Sequence, residues 1–494
     1  MSRIGLWSGP ALAALLLFLL PEQFVDGTGE TVEFSWTGRV AAAAAAWMAV
    51  WWMTEAIPVY ATALLPLVLF PMVGGMGISE AARPYSHELI FLFLGGFMLA
   101  QCLQKWGLHR RIAYSALSRV GTSPARIVAA FMLISAGTSM WVTNTAATMM
   151  LLPVVLSVIA LLHRDGDGAG RNEAGAHAFA VCLLLGTAYA ASIGGVATII
   201  GSPPNVFVVS YAESQLGREI SFVRWMMFGV PLVIIFIPLT WWLLTRCVYR
   251  LDAQPVDGAE VTIRRALTEL GPMGTAEWRT ALVFAATAML WVTRPLLQQI
   301  EIAGVRPLAG LSDPGIAITA ALTLFVLPGG EERGQRLLDW HSAAKLPWGL
   351  LVLFGGGLSL AAAMDGYGVS AYIGTLAAGL GGLPSVLIVL GVITLVKFLT
   401  ELTSNTATTA TLVPILAAIA PVLGLDAYHL IVPAAIAASY AFMLPVATPP
   451  NAIVFGSGHV TIREMTRAGF WLNIVGALGV TALTYVLIVP VLGA

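Results

Sequence analysis

Two short polar runs interrupt otherwise apolar sequence, Thr143-Asn144-Thr145 and Ser404-Asn405-Thr406. Each is followed by small residues and an apolar run closed by proline, at Leu152-Pro153 and Val413-Pro414. A second pair lies downstream, Gly201-Ser202-Pro203-Pro204-Asn205 and Ala447-Thr448-Pro449-Pro450-Asn451. Side chains of this kind can do two jobs together. Their O–H and N–H groups donate to an anion, while their oxygens, with freed backbone carbonyls, suit a hard cation such as Na+. A helix starting near Thr145 or Thr406 would add free backbone N–H groups and roughly half a positive charge. No Arg or Lys lies in any of the four breaks. A dianion held there needs bound cations to offset its charge, so its binding is expected to depend on Na+. One Ser/Thr-Asn-Thr triplet alone reads as an ordinary helix N-cap, and one Pro-Pro pair as a kink. Two of each at matched positions point instead to the walls of one cavity.

The elements that must position these residues are set by composition. The 494 residues are 58% hydrophobic and 10% charged, with mean hydropathy +0.85. Soluble domains carry about 25% charged residues, so the chain is a polytopic membrane protein in contact with a lipid bilayer. At membrane depth, backbone stays non-helical only where it is buried in protein or lines a watery cavity. The net charge of −1 says nothing about partners. Cys102, Cys182 and Cys247 lack metal-type spacing and read as packing residues without a disulfide framework. Residues 1–20 carry one Arg before an apolar run and no small-residue cleavage site, as expected of an uncleaved first span.

Apolar spans long enough to cross a bilayer fall at about 4–20, 39–54, 57–73, 89–106, 177–205 (broken at 201–205) and 223–245 in the first half. In the second half they fall at about 279–296, 311–328, 346–364, 427–458 (broken at 447–451) and 468–492. The stretches 125–162 and 383–422 are too long for single spans and are broken at 139–145 and 400–406, as re-entrant hairpins would be. The expected fold class is therefore an all-α membrane protein with about 11 transmembrane helices and two re-entrant helical hairpins. Its divisions are 1–36 (first span and outer loop), 37–250 (repeat one), 251–278 (linker) and 279–494 (repeat two). The repeat is visible as spacing: 260 residues separate Gly95 from Gly355, 261 separate Thr143 from Ser404, and 246 separate Ser202 from Thr448. The extra polar loop 163–176 absorbs the shortfall.

Segment 109–126 is basic and amphipathic, suited to the interface plane, whereas its counterpart 366–381 has no Lys or Arg. By the distribution of positive charge, the N-terminus is cytoplasmic, the C-terminus is outside, and the halves have inverted topology. Inverted repeats with helices broken near the midplane mark the substrate and ion sites of secondary transporters. Lys397 and Glu401 are spaced for an i, i+4 pair, expected to be mainly structural. The sharper alternative makes Lys397 a fixed charge that lets an exchanger work without Na+. Glu55 and Arg294 read as structural, and His87-Glu88 lacks the second His of a zinc helix.

With Trp51-Trp52-Met53-Thr54-Glu55-Ala56-Ile57-Pro58, the two Ser/Thr-Asn-Thr tips and the two Ser/Thr-Pro-Pro-Asn breaks, the sequence resembles the divalent anion:sodium symporter (DASS) family over nearly the whole chain. The resemblance implies secondary active transport of C4-dicarboxylates of the succinate, malate or fumarate type, coupled to Na+. Na+-independent dicarboxylate exchange, citrate transport and sulfate transport are the alternatives within the family. It also implies a homodimer in a bacterial inner (plasma) membrane, with a fixed scaffold and a mobile elevator domain. Carried over by position, Thr143, Asn144 and Thr145 would contact one substrate carboxylate and Ser404, Asn405 and Thr406 the other, with Ser202 and Thr448 beside them. One Na+ would sit among Ser139, Thr143, Asn144 and Gly201, and a second among Thr400, Thr403, Asn405 and Ala447. Thr143 stands where the family commonly has Ser and adds a methyl group to the site. No organic cofactor, catalytic residue or nucleic-acid partner is implied. An intramembrane enzyme would need a zinc helix, paired aspartates or a nucleophile beside a base, and the breaks contain none of these.

Overall fold

The structure, a computed structural model, describes residues 3–25, 30–118, 121, 123–164, 173–251, 259–330, 334–377 and 382–493. Helix α1 (Arg3–Leu19) leads through two short antiparallel strands, β1 (Gln23–Val25) and β2 (Thr31–Glu33), into α2 (Trp36–Thr54). This strand pair is a departure from the all-helical expectation. It is pinned by Phe24, which packs edge-on against Phe34 and Tyr372. The span expected at 57–73 is itself in pieces, Val59–Thr62, Leu65–Leu69 and a π-helical turn Phe70–Gly74, with Pro66 and Pro71 inside it. Each proline removes a ladder N–H and disfavours a continuous helix.

Next come α3 (Glu88–Lys105) and the amphipathic α4 (Leu108–Leu117). The first hairpin is α5 (Pro124–Ser139) and α6 (Asn144–Arg164), and the first broken span is α7 (Glu173–Gly194) and α8 (Pro203–Leu216). Helix α9 (Phe222–Trp242) closes repeat one. The linker between the halves, expected to be simply polar, contains helix α10 (Ala259–Glu269). The second half shows a similar order of elements. It comprises α11 (Thr275–Leu297), α12 (Asp313–Val326), α13 (Trp348–Gly366), α14 (Val369–Ala377), a hairpin of α15 (Ser385–Thr400) and α16 (Asn405–Ile419), a broken span of α17 (Tyr428–Ser439) and α18 (Pro449–Phe455), and α19 (Ile462–Leu483).

Among the described residues, six helices are long and apolar enough to cross a membrane, and eight shorter apolar helices accompany them. The most deeply placed is α7, whose apolar window is wholly buried. It packs on α5, α6, α9 and α18. The halves interlock around it, because α18 of repeat two lies on α6 and α7, while α16 lies on α8. Outside this core, α3 and α12 cross closely: a Cβ on Gly95 would lie 2.6 Å from the Ala317 backbone, so the crossing requires glycine. The basic arm α4 is tied down by Arg111, which bonds Glu277 (Nη2 to Oε2, 2.9 Å) and donates to the carbonyls of Leu270, Gly271 and Pro272.

Candidate substrate and cation site

The four interruptions stand where the sequence pattern puts them, with one correction. The two hairpin tips turn between Ser139 and Asn144 and between Thr400 and Asn405. The two broken spans unwind upstream of their prolines, over 195–202 and 440–448, whereas 201–205 and 447–451 were expected. The physical reason is that proline fits the first helical turn, where an N–H has no partner to lose. Pro203-Pro204 and Pro449-Pro450 therefore start helices, with Ser202 and Thr448 at the N-cap positions.

Exposed carbonyls and N–H groups at such depth must all be answered, and the same device answers part of them in both halves. The Asn205 amide nitrogen donates to Gly195 O (2.9 Å) and Thr198 O (2.8 Å), and that of Asn451 donates to Ala441 O (3.2 Å) and Leu444 O (3.1 Å). Each asparagine bridges the carbonyls ten and seven residues before it. At the tips, Ser139 Oγ lies 2.6 Å from Asn144 Oδ1 and Thr400 Oγ1 lies 2.7 Å from Asn405 Oδ1. Thr148 and Thr409 donate back to the carbonyls of those same asparagines.

The second break carries further anchors. Glu401 accepts from the N–H groups of Phe442 (2.7 Å), Met443 (2.9 Å) and Leu444 (3.1 Å) and from Asn473 Nδ2 (2.7 Å). Lys397 Nζ donates to Tyr440 O at 2.8 Å and lies over the Tyr440 and Phe442 rings. Lys397 and Glu401 thus act on the same unwound backbone, and the i, i+4 spacing serves that purpose. Lys397 is fully buried, with its ammonium beside Gly476 of α19, and does not line the cavity. Asn473 had no signal in the sequence, because a lone Asn in an apolar helix has no partner until the fold supplies one.

The oxygens around Asn144 are the most telling local geometry. One end of its amide lies 2.6 Å from Ser139 Oγ and 3.2 Å from both Ala191 O and Gly201 O. An amide N–H₂ turned that way donates to all three; its oxygen turned that way completes a ring of four oxygens, a donor set suited to a hard cation. The second tip offers Asn405 Oδ1, Thr400 Oγ1 and Ala438 O, the last 3.1 Å from Thr400 Oγ1. Thr403 Oγ1 instead contacts Thr408 Oγ1 at 2.6 Å. Two glycines are required here: a Cβ on Gly195 would overlap the Asn144 side-chain oxygen, and one on Gly201 would come within 2.5 Å of Gly195 O. Gly195→Ala is therefore expected to remove Na+-induced thermal stabilisation of the purified protein, read as a Tm shift between Na+ and choline buffers. The corresponding position in repeat two is already Ala441.

All four interruptions open on one cavity of about 910 Å³. Thr143, Asn144, Thr145, Ser202, Thr403, Ser404, Asn405, Thr406, Ala447 and Thr448 line it, so ten of the expected site residues meet there. Ser139, Gly201 and Thr400 lie behind that lining, in contact with its asparagines or turns. Ser404 makes no side-chain cap hydrogen bond to its own helix, which leaves its hydroxyl for the cavity. Thr143 does cap weakly, accepting from Ala146 N at 3.4 Å. The lining outside the breaks includes Glu55, Tyr60, Gln101, Gln104 and the 345–353 segment, with Lys345 the one cation among the described lining residues. Next in sequence to the lining residue Gln104, Lys105 holds Asp339 at 2.5 Å. Together with the Ser342 N–H it pulls that carboxyl down to about 2, so Asp339 stays ionised at neutral pH.

Comparison with known proteins agrees with this architecture. The family described as the sodium:sulfate symporter transmembrane region matches residues 31–492. The sodium-dependent dicarboxylate transporter SdcS of Staphylococcus aureus, in strains MSSA476 and MW2 among others, is 39% identical over 493 residues, covering 99% of this chain and 92% of that protein. Among solved structures, the YdaH transporter of Alcanivorax borkumensis aligns with TM-score 0.57 at 14% identity, over 98% of this chain and 96% of that one. Neisseria gonorrhoeae MtrF aligns with TM-score 0.57 at 12% identity, over 99% and 96%. At these identities the likeness is one of fold.

Proposed function

The chain belongs to the sodium:sulfate symporter family, and from that premise we propose that it is a secondary active transporter of C4-dicarboxylates driven by Na+. The observation that carries this reading is the meeting of four helix interruptions in one cavity whose break-derived wall has hydroxyls, amides and backbone groups but no Arg or Lys. The identity of the S. aureus relative as a sodium-dependent dicarboxylate transporter supports both the anion and the cation. Thr143–Thr145 and Ser404–Thr406 hold the two carboxylates, with Ser202 and Thr448 beside them. Ser139, Thr143, Asn144 and Gly201 hold one Na+, and Thr400, Thr403, Asn405 and Ala447 the other. Each helix start at Asn144 and Asn405 contributes its N-terminal dipole to the anion. Cations bound just behind the tips cancel the remaining charge, which gives symport its electrostatic cause.

The finer architecture proposed is about eleven spans and two re-entrant hairpins in inverted repeats, with hairpins and broken helices moving as an elevator past a scaffold in a homodimer. The divisions 1–36, 37–250, 251–278 and 279–494 describe it along the chain. With the N-terminus cytoplasmic and the C-terminus outside, the cavity wall at Glu55, Gln104 and Lys345 faces the cytoplasm, and this conformer is open inward. Na+-independent exchange loses its motive, since Lys397 is engaged with Tyr440 O and is not among the residues lining the cavity. The test is uptake of radiolabelled succinate, citrate and sulfate into proteoliposomes, with and without an inward Na+ gradient. Succinate uptake that requires Na+ is expected; sulfate-only uptake, or succinate counterflow undiminished in Na+-free buffer, would overturn the proposal.

A further inference from the structure

Two hydrogen bonds join the broken span of repeat one to that of repeat two. Tyr189, fully buried in α7, donates from its hydroxyl to Phe442 O at 2.7 Å, near the start of the second break. Its ring packs on the Phe442 ring with centroids 5.0 Å apart, and Met465 O of α19 lies 3.4 Å from the same hydroxyl. Beside it, Ser202 Oγ at the end of the first break meets Ser439 Oγ, the last residue of α17, at 3.0 Å. Both contacts are buried, where a hydrogen bond cannot be replaced by bulk water.

Each contact stands next to an oxygen assigned above to a cation. Tyr189 precedes Ala191, whose carbonyl faces the Asn144 amide, by two residues of the same helix. Phe442 is held on its N–H side by Glu401, the residue after Thr400, and Thr400 bonds both Asn405 Oδ1 and Ala438 O. Hydrogen bonds join Tyr189 to Phe442, Phe442 to Glu401 and Thr400 to Asn405, and the helix backbone links Tyr189 to Ala191 and Glu401 to Thr400. This is the path by which a shift of the α7 end would reach the backbone that builds the second site.

We propose that Tyr189, with Ser439, is a positioning residue that couples the two cation sites, so that occupancy of one pre-arranges the other. The inference rests on the Na+-coupled reading above. Coupling of this kind is reciprocal between the sites and is carried by a contiguous packed and hydrogen-bonded path. Tyr189→Phe keeps the ring contact with Phe442 and removes only the hydroxyl. Ser439→Ala removes the second link without disturbing the aromatic pair.

The experiment is a Na+ titration of succinate uptake in proteoliposomes of the full chain, fitted for half-saturating Na+ and Hill coefficient, with KM for succinate measured at saturating Na+. For Tyr189→Phe, half-saturating Na+ is expected to rise about threefold to tenfold, the equivalent of one buried hydrogen bond. The Hill coefficient should fall toward one, with KM and the rate at saturating Na+ unchanged. Ser439→Ala should shift both Na+ parameters the same way, and it carries the test if the tyrosine variant does not fold. Wild-type Na+ curves in the variants would overturn the proposal, as would a lower rate and lower Tm with the shape of the Na+ curve intact. A wild-type protein that takes up succinate with no response to Na+ would overturn the functional reading and this inference with it. That failure is distinguishable because it appears in the wild-type arm.

Discussion

Asn144→Ala and Asn405→Ala, made singly, are each expected to lower Na+-driven succinate uptake on the order of a hundredfold, at least the loss seen when groups merely supporting a metal ligand are removed. Each asparagine presents a side-chain amide whose place alanine cannot fill. Its side chain meets Ser139 Oγ or Thr400 Oγ1 within 2.7 Å. It lines the cavity at the first turn of its helix. The amide also lies among the oxygens that form the proposed cation sites, whereas the backbone carbonyl that accepts from Thr148 or Thr409 is kept in the alanine variants. The loss should appear in half-saturating Na+ as well as in rate, because the anion is held only when its charge is offset. A variant with wild-type Na+ dependence would remove that asparagine from the cation site.

Glu401→Ala is expected to destabilise the folded protein by about 3–5 kcal/mol, the cost of leaving partners of a buried charge unanswered. Three consecutive backbone N–H groups and Asn473 Nδ2 would lose their acceptor at once. Lys397, buried in the same place, would lose its compensating charge. The measurement is thermal unfolding in detergent together with the yield of monodisperse protein. Glu401→Gln keeps an acceptor oxygen but presents an N–H₂ to backbone donors, so it should fall between alanine and wild type. A Glu401→Ala protein that melts like wild type would show that the second break is held by its other contacts alone.

Much of the candidate site was legible because its residues violate the rule of their surroundings. Polar Thr143–Thr145 and Ser404–Thr406 stand out in apolar sequence, and the 261-residue interval between them removes the ordinary N-cap explanation. The exact place of unwinding was less legible, since Pro203 and Pro449 look like helix breakers but serve as helix starters. Tyr189, Ser439 and Asn473 were invisible for a different reason. Each is a polar group in an apolar helix, and its meaning depends on which carbonyl, hydroxyl or carboxylate lies across the bundle. Lys397 and Glu401 were visible as a pair, but sequence spacing could only suggest that they bond each other; the unwound 440–444 backbone offers both of them better partners. The strands at 23–25 and 31–33 and the broken 59–74 region depend on short-range turns and prolines that hydropathy averaging smooths over.

The central claim is that an anion is held in a cavity that supplies no fixed cation from its broken helices, so bound Na+ must supply the charge. Isothermal titration of succinate into the purified full-length protein, in NaCl and in choline chloride of equal ionic strength, tests it most directly. Binding heat in Na+ and none in choline is the expected result; equal affinity in the two salts would contradict it.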